Sequence, residues 1–363
     1  MKNCFLSAVF AIIMVCCTSC FGLEPTKPQP ISVISGIYIL NNGSWGGNNA
    51  NIVTYNYDKY VGEDIFFKAN NKNLGELGQD ILIHGGKMYI AVSGSGVVFV
   101  TDLSGKILGE VRAGEKGTCQ PRALAAGKGN VFISYYEGYV GRIDTVNFKL
   151  TLSDNVGPNP EGIAFADDKV YTAISNGLNY PDYDSTVVVI DPTSLVVKER
   201  LTVGVNPSKM VSCGDIIYCM CSGNYSDIPA QVNVLFCDDD ENYFSSKCPF
   251  ISNPVQNCIA SDNHRYVFVA EKMGTNFRIK VIDCATGLLS DDSFIKDGTI
   301  FKNGISSLDI DPLNYALFVG TSDYVNNGDM YVFTRDGERY DKFDTGGINP
   351  IKVVFSTTSK TIK

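Results

Sequence analysis

The chain has 363 residues with 39 acidic and 30 basic side chains, a formal net charge of −9, and no basic cluster, which excludes nucleic acid and anionic lipid headgroups as partners of the folded part. Charged residues are 19%, glycines number 35, and 19 Tyr accompany 20 Phe, while long Ala/Leu/Glu/Lys runs of helical period are missing. That composition predicts many short strands and tight turns.

In chain order, residues 1–19 read as a secretory leader: Lys2 starts it, an apolar run extends from Phe5 to Val15, and Cys16-Cys17-Thr18-Ser19 precede Cys20. The segment is too short to span a membrane. Small residues directly before Cys20 resemble a lipobox, so Cys20 is the expected lipidation site, although Cys17 stands where leucine is usual. Loss of Lys2 with the leader makes the net charge −10. Residues 20–31, with Pro25, Pro28 and Pro30, form a stiff extended tether, and 32–363 the folded domain.

The stretch Gly36 to Ile52 reads GIYILNNGSWGGNNANI: a β run, a loop of amides and glycines around the sole tryptophan, then a second β run. Trp45 there either meets a ligand or covers a core edge.

Beyond it a period appears, marked by Gln120-Pro121, Asn159-Pro160, Asn206-Pro207, Asn253-Pro254, Asn303-Gly304 and Asn349-Pro350, with Gly78-Gln79 a weaker member. Steps of 39, 47, 47, 50 and 46 residues are the signature of β-propeller blades. Each unit repeats strand, tight turn, strand, long loop, strand, turn and strand, as in GIAFA, KVYTAI, TVVVID and VVKERLTVG after Asn159. Six units start near Gly78, Pro121, Pro160, Pro207, Pro254 and Gly304. The strands around Gly36 lack a first strand, and the terminal run Pro350–Phe355 is a first strand with nothing after it. The predicted fold is therefore all-β, a seven-bladed β-propeller closed by the C-terminal strand joining the N-terminal blade, because closure removes exposed edges.

In such a ring the second-to-third-strand loops share one face with the connections between units. The opposite face receives minimal turns, including those at His84-Gly85-Gly86 and Asp262-Asn263-His264. The furnished face supplies the candidate binding residues: Asn41, Asn42, Trp45 and Asn48; Gln79 and Asp80; Arg122, Tyr135 and Tyr136; Asn159 and Glu161; Asn176, Tyr180 and Tyr183; Tyr225, Phe277 and Tyr324. Rings supply contact area at small entropic cost and amides both donate and accept, which suits a large neutral polar ligand. The bland alternative is that Asn-Pro is ordinary turn chemistry and a loop Tyr is packing.

Catalytic constellations fare worse. Both histidines fall in turns on the sparse face, so a His-based lyase or triad is hard to assemble. Asp238 to Glu241 lacks the spaced ligands and glycine of a calcium loop. Of the eight cysteines after Cys20, most sit in strand patterns and read as buried thiols; Cys237 and Cys248 are placed to bridge a hairpin, and Cys219-Met220-Cys221 is a poor zinc half-site. No catalytic residue, metal or cofactor is predicted.

The Asn-Asn-Gly-Ser-Trp-Gly-Gly-Asn-Asn block, the segment Leu74 to Ile81 and the blades ending V-x-V-I-D resemble the YncE-like propeller lipoproteins, and are most similar to the BtuG-type surface proteins. The resemblance implies a corrinoid (cobalamin or cobinamide) bound without chemistry and handed to a TonB-dependent outer-membrane transporter. It also implies lipid anchoring at the outer membrane, facing the cell exterior. Phe21-Gly22-Leu23-Glu24 replaces the acidic cluster expected for surface display, which leaves the periplasmic face open. A glycan-binding or surface-assembly propeller is the second class, and a propeller lyase or lactonase the third.

Overall fold

The computed structural model describes residues 30–361, so the leader, Cys20 and most of the tether lie outside the described residues. Among the described residues, apart from one six-residue helix, Ile65–Asn70, and a three-residue 3-10 turn, all regular structure is β. The strands form seven antiparallel sheets, six of four strands in sequence order and one of three. First strands of the four-stranded sheets are Gly78–His84, Pro121–Gly127, Pro160–Ala166, Pro207–Cys213, Pro254–Ser261 and Gly304–Ile310, each beginning at a repeat mark. These are sheets 1 to 6. Sheet 7 pairs Pro350–Thr361 with Pro30–Asn41 and then Asn51–Tyr55, so the first and last described strands lie side by side, Ile37 opposite Phe355 and Leu40 opposite Lys352.

The burial pattern explains the sequence pattern. Middle strands such as Val97–Thr101 are buried on both faces because a neighbouring sheet packs on each, which is why they read as unbroken apolar runs. Fourth strands are different: Val197–Thr202 exposes Lys198, Glu199 and Arg200, charges that blunt the outer edge. Seven apolar clusters fill the spaces between successive sheets, including the space between sheets 7 and 1. Ring pairs lock them: Phe132 stacks on Phe165 at 5.9 Å between sheets 2 and 3, and Tyr55 on Phe343 at 4.5 Å between sheets 7 and 6. Truncating one such buried ring to Ala costs about 3–5 kcal/mol.

Sheet 7 lacks a fourth strand, and the helix takes up the chain instead. Asp64 caps it by accepting the amide N–H groups of Phe66 and Phe67. Phe66 inserts beside Phe99 of sheet 1, with ring centres 5.0 Å apart, and Asn70 bonds the Gly105 carbonyl and the Ile107 amide. The helix thus fastens sheet 7 to sheet 1. Among the described residues no helix is long and apolar enough to cross a membrane.

Two sequence expectations are corrected here. Phe277, expected on a long loop of the furnished face, instead follows a tight hairpin: both strands continue, Met273 pairs with Asn276, and Gly274 turns the chain at φ +62°. Phe277 therefore sits in a strand opposite Lys272, packed half-buried against the cluster between sheets 5 and 6. Cys237 and Cys248 cannot bridge, because Cys237 faces Tyr243 while the chain reaches Cys248 only after Lys247 has paired with Asn233. All eight described cysteines are free, and Cys237 alone is not buried.

Candidate functional site

Every first strand slips register just after its repeat mark. The slips fall between Gly78 and Asp80, Pro121 and Leu124, Pro160 and Ile163, Pro207 and Met210, Pro254 and Ile259, Ile305 and Ser307, and opposite the step from Leu40 to Asn41 in sheet 7. A bulge re-aims the side chains it contains. Here it turns polar residues out of strands that are otherwise apolar and places them around a mouth between the first strands. The mouth is a cavity of about 270 Å³ lined by Gln79, Asp80, Arg122, Lys209, Gln256 and Lys352 among others. Leu124, Ile163, Met210 and Lys352 also line a second cavity, of about 390 Å³, towards the turn face.

In six of the seven sheets the residue before the first strand serves a different purpose. Its carbonyl accepts the N–H of the residue that ends the second strand or opens the loop: Leu77 from Ser93, Gln120 from Tyr136, Asn159 from Ser175, Asn206 from Ser222, Asn253 from Lys272 and Asn349 from Asn42, at 2.8–3.2 Å. Asn159, Asn206 and Asn349 hold φ of +50°, +58° and +59°, a left-handed conformation that asparagine tolerates better than most residues. The side-chain amide of Asn159 is used as well: Nδ2 donates to the Tyr136 carbonyl at 3.1 Å and Oδ1 accepts from Leu178 N–H at 3.2 Å. Asn159 fastens a loop, and its amide is not presented to a ligand.

The loop around Trp45 is built the same way. Asn41 is fully buried and bonds Asn51 and both the carbonyl and hydroxyl of Thr345, so it is a structural amide. Asn42 Nδ2 donates to the Gly78 carbonyl at 2.7 Å. The Glu76 carboxylate accepts the N–H groups of Gly46 and Asn48, and the Asn48 carbonyl accepts from Asn73. This ties the turn down and leaves Trp45 outside the core, 85% exposed.

An aromatic arc crosses sheets 2 to 4. Arg122 makes a bidentate pair with Glu161 at 2.9 and 3.1 Å, and its guanidinium stands 4.7 Å from the Tyr136 ring centre. Burial, then the Glu161 charge, pushes the Tyr136 phenol up to about 12, so it is a neutral donor. Tyr180, Tyr183 and Tyr225 follow edge to face at 6.0 and 5.9 Å. Gln256 Nε2 and Asn206 Nδ2 both donate to the Tyr225 hydroxyl. Asn176 holds the intervening loop by donating to the Asp182 carbonyl at 2.9 Å. Across the mouth, Tyr324 of sheet 6 is 68% exposed and lines the cavity.

The structure thus gathers Gln79, Asp80, Arg122 and Tyr324 at the mouth and Tyr136, Glu161, Tyr180, Tyr183 and Tyr225 on the arc. It does not gather Tyr135 or Phe277. Tyr135 follows Ile133 on the same side of its strand and is buried between sheets 1 and 2, its hydroxyl without a protein partner. Phe277 lines an outer groove with Asn276, Arg278 and Ile300. Sequence reasoning missed Lys209, Lys352, Asp309 and Gln256. Their signal was present: each charge interrupts an apolar first strand, as in Ser208-Lys209-Met210, Ile351-Lys352-Val353 and Leu308-Asp309-Ile310.

These charges are close. Lys352 Nζ lies 3.9 Å from both Asp80 and Asp309. Asp80 and Asp309 in turn accept the N–H groups of Leu124 and Val353 on neighbouring first strands, each at 2.8 Å. Burial raises the Asp309 carboxyl to about 6, against the pull of Lys352 and Lys209. Burial, and then repulsion from Lys352, lowers the Lys209 ammonium.

Solved structures share the architecture. A functionally unknown protein from Desulfotomaculum acetoxidans superposes with a TM-score of 0.60 at 11% identity, over 88% of this chain and 98% of that one. The β-propeller domain of Cps50 (Swd1) from Myceliophteria thermophila gives 0.56 at 10% identity, over 84% and 99%. Apo AztD from Citrobacter koseri gives 0.53 at 12% identity, over 88% and 83%. At these identities the likeness shows a β-propeller fold. No curated protein matches the chain. Residues 35–232 match the family model described as a domain of unknown function, DUF5074.

Proposed function

The chain belongs to the DUF5074 family, and from that premise we propose that it is a ligand-binding propeller without chemistry of its own, taking a corrinoid on its loop face for delivery to a TonB-dependent transporter. The observation that carries this reading is the arc of Tyr136, Tyr180, Tyr183 and Tyr225 running beside a mouth lined by Gln79, Arg122 and Gln256. A corrinoid is a large rigid disc fringed with amides: rings cover its faces, amides meet its rim, and its rigidity lowers the ordering cost of binding. Rigid loops support the same reading, since the carbonyl clamps and the Glu76 tie hold the face in shape before a ligand arrives. So does closure of the seven sheets into a ring, which the pairing of Pro30–Asn41 with Pro350–Thr361 favours.

In this proposal the protein is lipid-anchored at Cys20 on the outer membrane, and the Pro-rich tether holds the binding face away from the lipid. Isothermal titration of the protein with cyanocobalamin tests it: saturable heat with a change in the corrin absorption is expected, and silence in both at micromolar protein refutes the corrinoid. The exposed rings of Tyr180 and Tyr225, 67% and 59% accessible, also suit sugar faces. A positive glycan array with a silent corrinoid titration establishes that second reading instead.

A further inference from the structure

We propose that the mouth between the first strands is an oxyanion site, in which the Lys209 and Lys352 ammonium groups bind a carboxylate or phosphate group presented from the loop face. The charges and distances at the mouth are the same whatever the aromatic arc binds. The chain is acidic overall, yet the lining of the mouth includes Arg122, Lys209 and Lys352 against Asp80 alone. Arg122 is neutralised by its bidentate pair with Glu161. Asp80 is also engaged: Oδ2 accepts from Leu124 N–H and Oδ1 from Ile81 N–H.

The two lysines remain. Lys352 Nζ is 3.9 Å from its two nearest carboxylates, beyond hydrogen-bonding distance, and Lys209 has no salt bridge among the described residues. Both side chains are half-buried, and a partly desolvated ammonium without a hydrogen-bonded carboxylate gains from a short-chain anion reaching into the mouth. Neutral donors converge beside them: the amides of Gln79 and Gln256, and Asn257. At about 270 Å³ the cavity admits a phosphate or a small carboxylate and is too small for the whole of a large ligand. The ligand class is therefore a free small oxyanion or a larger molecule carrying one such group.

The groups facing the site set its pH response. They are Lys209, Lys352, Arg122, Asp80, Asp309 below them and the Tyr324 phenol; the Cys258 thiol, in the core cluster between sheets 5 and 6 and within electrostatic reach of Lys209, is pushed up to about 12 by burial and stays neutral. Lys209 is lowered by burial, so anion affinity falls on the alkaline side at a lower pH than an ordinary lysine would give. Below about pH 6, protonation of Asp309 removes the competing charge and affinity rises.

The test is calorimetric titration of the full-length protein with inorganic phosphate and, separately, with succinate, at constant ionic strength set by chloride. Saturable binding of at least one is expected; phosphate alone assigns the site to phosphate groups, and succinate alone to carboxylates. Lys209→Met and Lys352→Met each weaken binding at least tenfold, while Lys198→Met, on an exposed outer strand, changes nothing. Circular dichroism melts verify that the variants fold, and Lys209→Met is expected to melt at or above the parent temperature because it removes a half-buried charge that has no salt bridge among the described residues. No saturable heat with either anion, or binding unchanged in the Lys209→Met/Lys352→Met double variant, overturns the proposal.

Discussion

Asp309→Asn gives the sharpest test of how the mouth is built. The residue is 7% exposed, its Oδ2 accepts from Val353 N–H at 2.8 Å, and its Oδ1 stands 3.9 Å from Lys352 Nζ. Burial outweighs these attractions and raises the carboxyl from 3.8 to about 6. The folded state therefore holds a proton that the unfolded chain has released, and the associated stability, complete below about pH 4, is lost as pH rises and is gone above about pH 6. A shift of this size corresponds to roughly 3 kcal/mol. Asparagine keeps an acceptor towards Val353 and carries no charge, so the variant is expected to be more stable than the parent at pH 7. The gain is about 1–3 kcal/mol, the lower end reflecting the partner that Lys352 loses. Urea unfolding followed by circular dichroism from pH 4.5 to 8 measures it. A variant less stable than the parent at pH 7, or one with the same slope between pH 4.5 and 6, refutes the reasoning.

Trp45→Ala is expected to shift stability by no more than about 0.5 kcal/mol, because the ring is outside the core. If a bound ligand covers roughly 100 Å² of it, affinity for cyanocobalamin falls about tenfold to a hundredfold by titration, and a collapse in melting temperature at unchanged affinity contradicts the placement. Asn159→Ala should do the reverse, costing about 1–2 kcal/mol through its left-handed φ and two lost hydrogen bonds while leaving affinity intact. Alkylation of the native protein with iodoacetamide, mapped by mass spectrometry, should label Cys237 first among the eight cysteines after Cys20, with the other seven reacting only after unfolding. Rapid labelling of Cys219 or Cys221 would show that the space between sheets 3 and 4 is open.

The architecture was legible because it is repetitive. Each Pro or Gly that marked a unit in the sequence begins a first strand, and the terminal run at Pro350 pairs with the strand at Gly36. A four-strand unit repeated around an axis prints its period whatever fills it. The site was legible only in part, since composition could place Tyr180, Tyr183 and Tyr225 on one face but could not separate amides that present themselves from amides that are spent. Asn41 and Asn159 read alike with Gln79 in the sequence; only hydrogen bonding shows that the first two hold loops together and the third lines the mouth. Tyr135 and Tyr136 differ by one position, and the two-residue period of a strand sends one into the core and the other onto the arc. Lys209 and Lys352 were overlooked because a lysine inside an apolar strand is usually an edge residue, and nothing local announces that seven bulges converge.

The side-by-side placement of Pro30–Asn41 and Pro350–Thr361 also has a kinetic and a mechanical consequence. Sheet 7 needs Pro350–Thr361 beside Pro30–Asn41, and pairings of such large sequence separation carry a high loop-closure cost and slow folding. Pro30 stands opposite Thr361, and any pull on the chain at Pro30 loads the whole ladder of this strand pair lengthwise, so that its hydrogen bonds share the force.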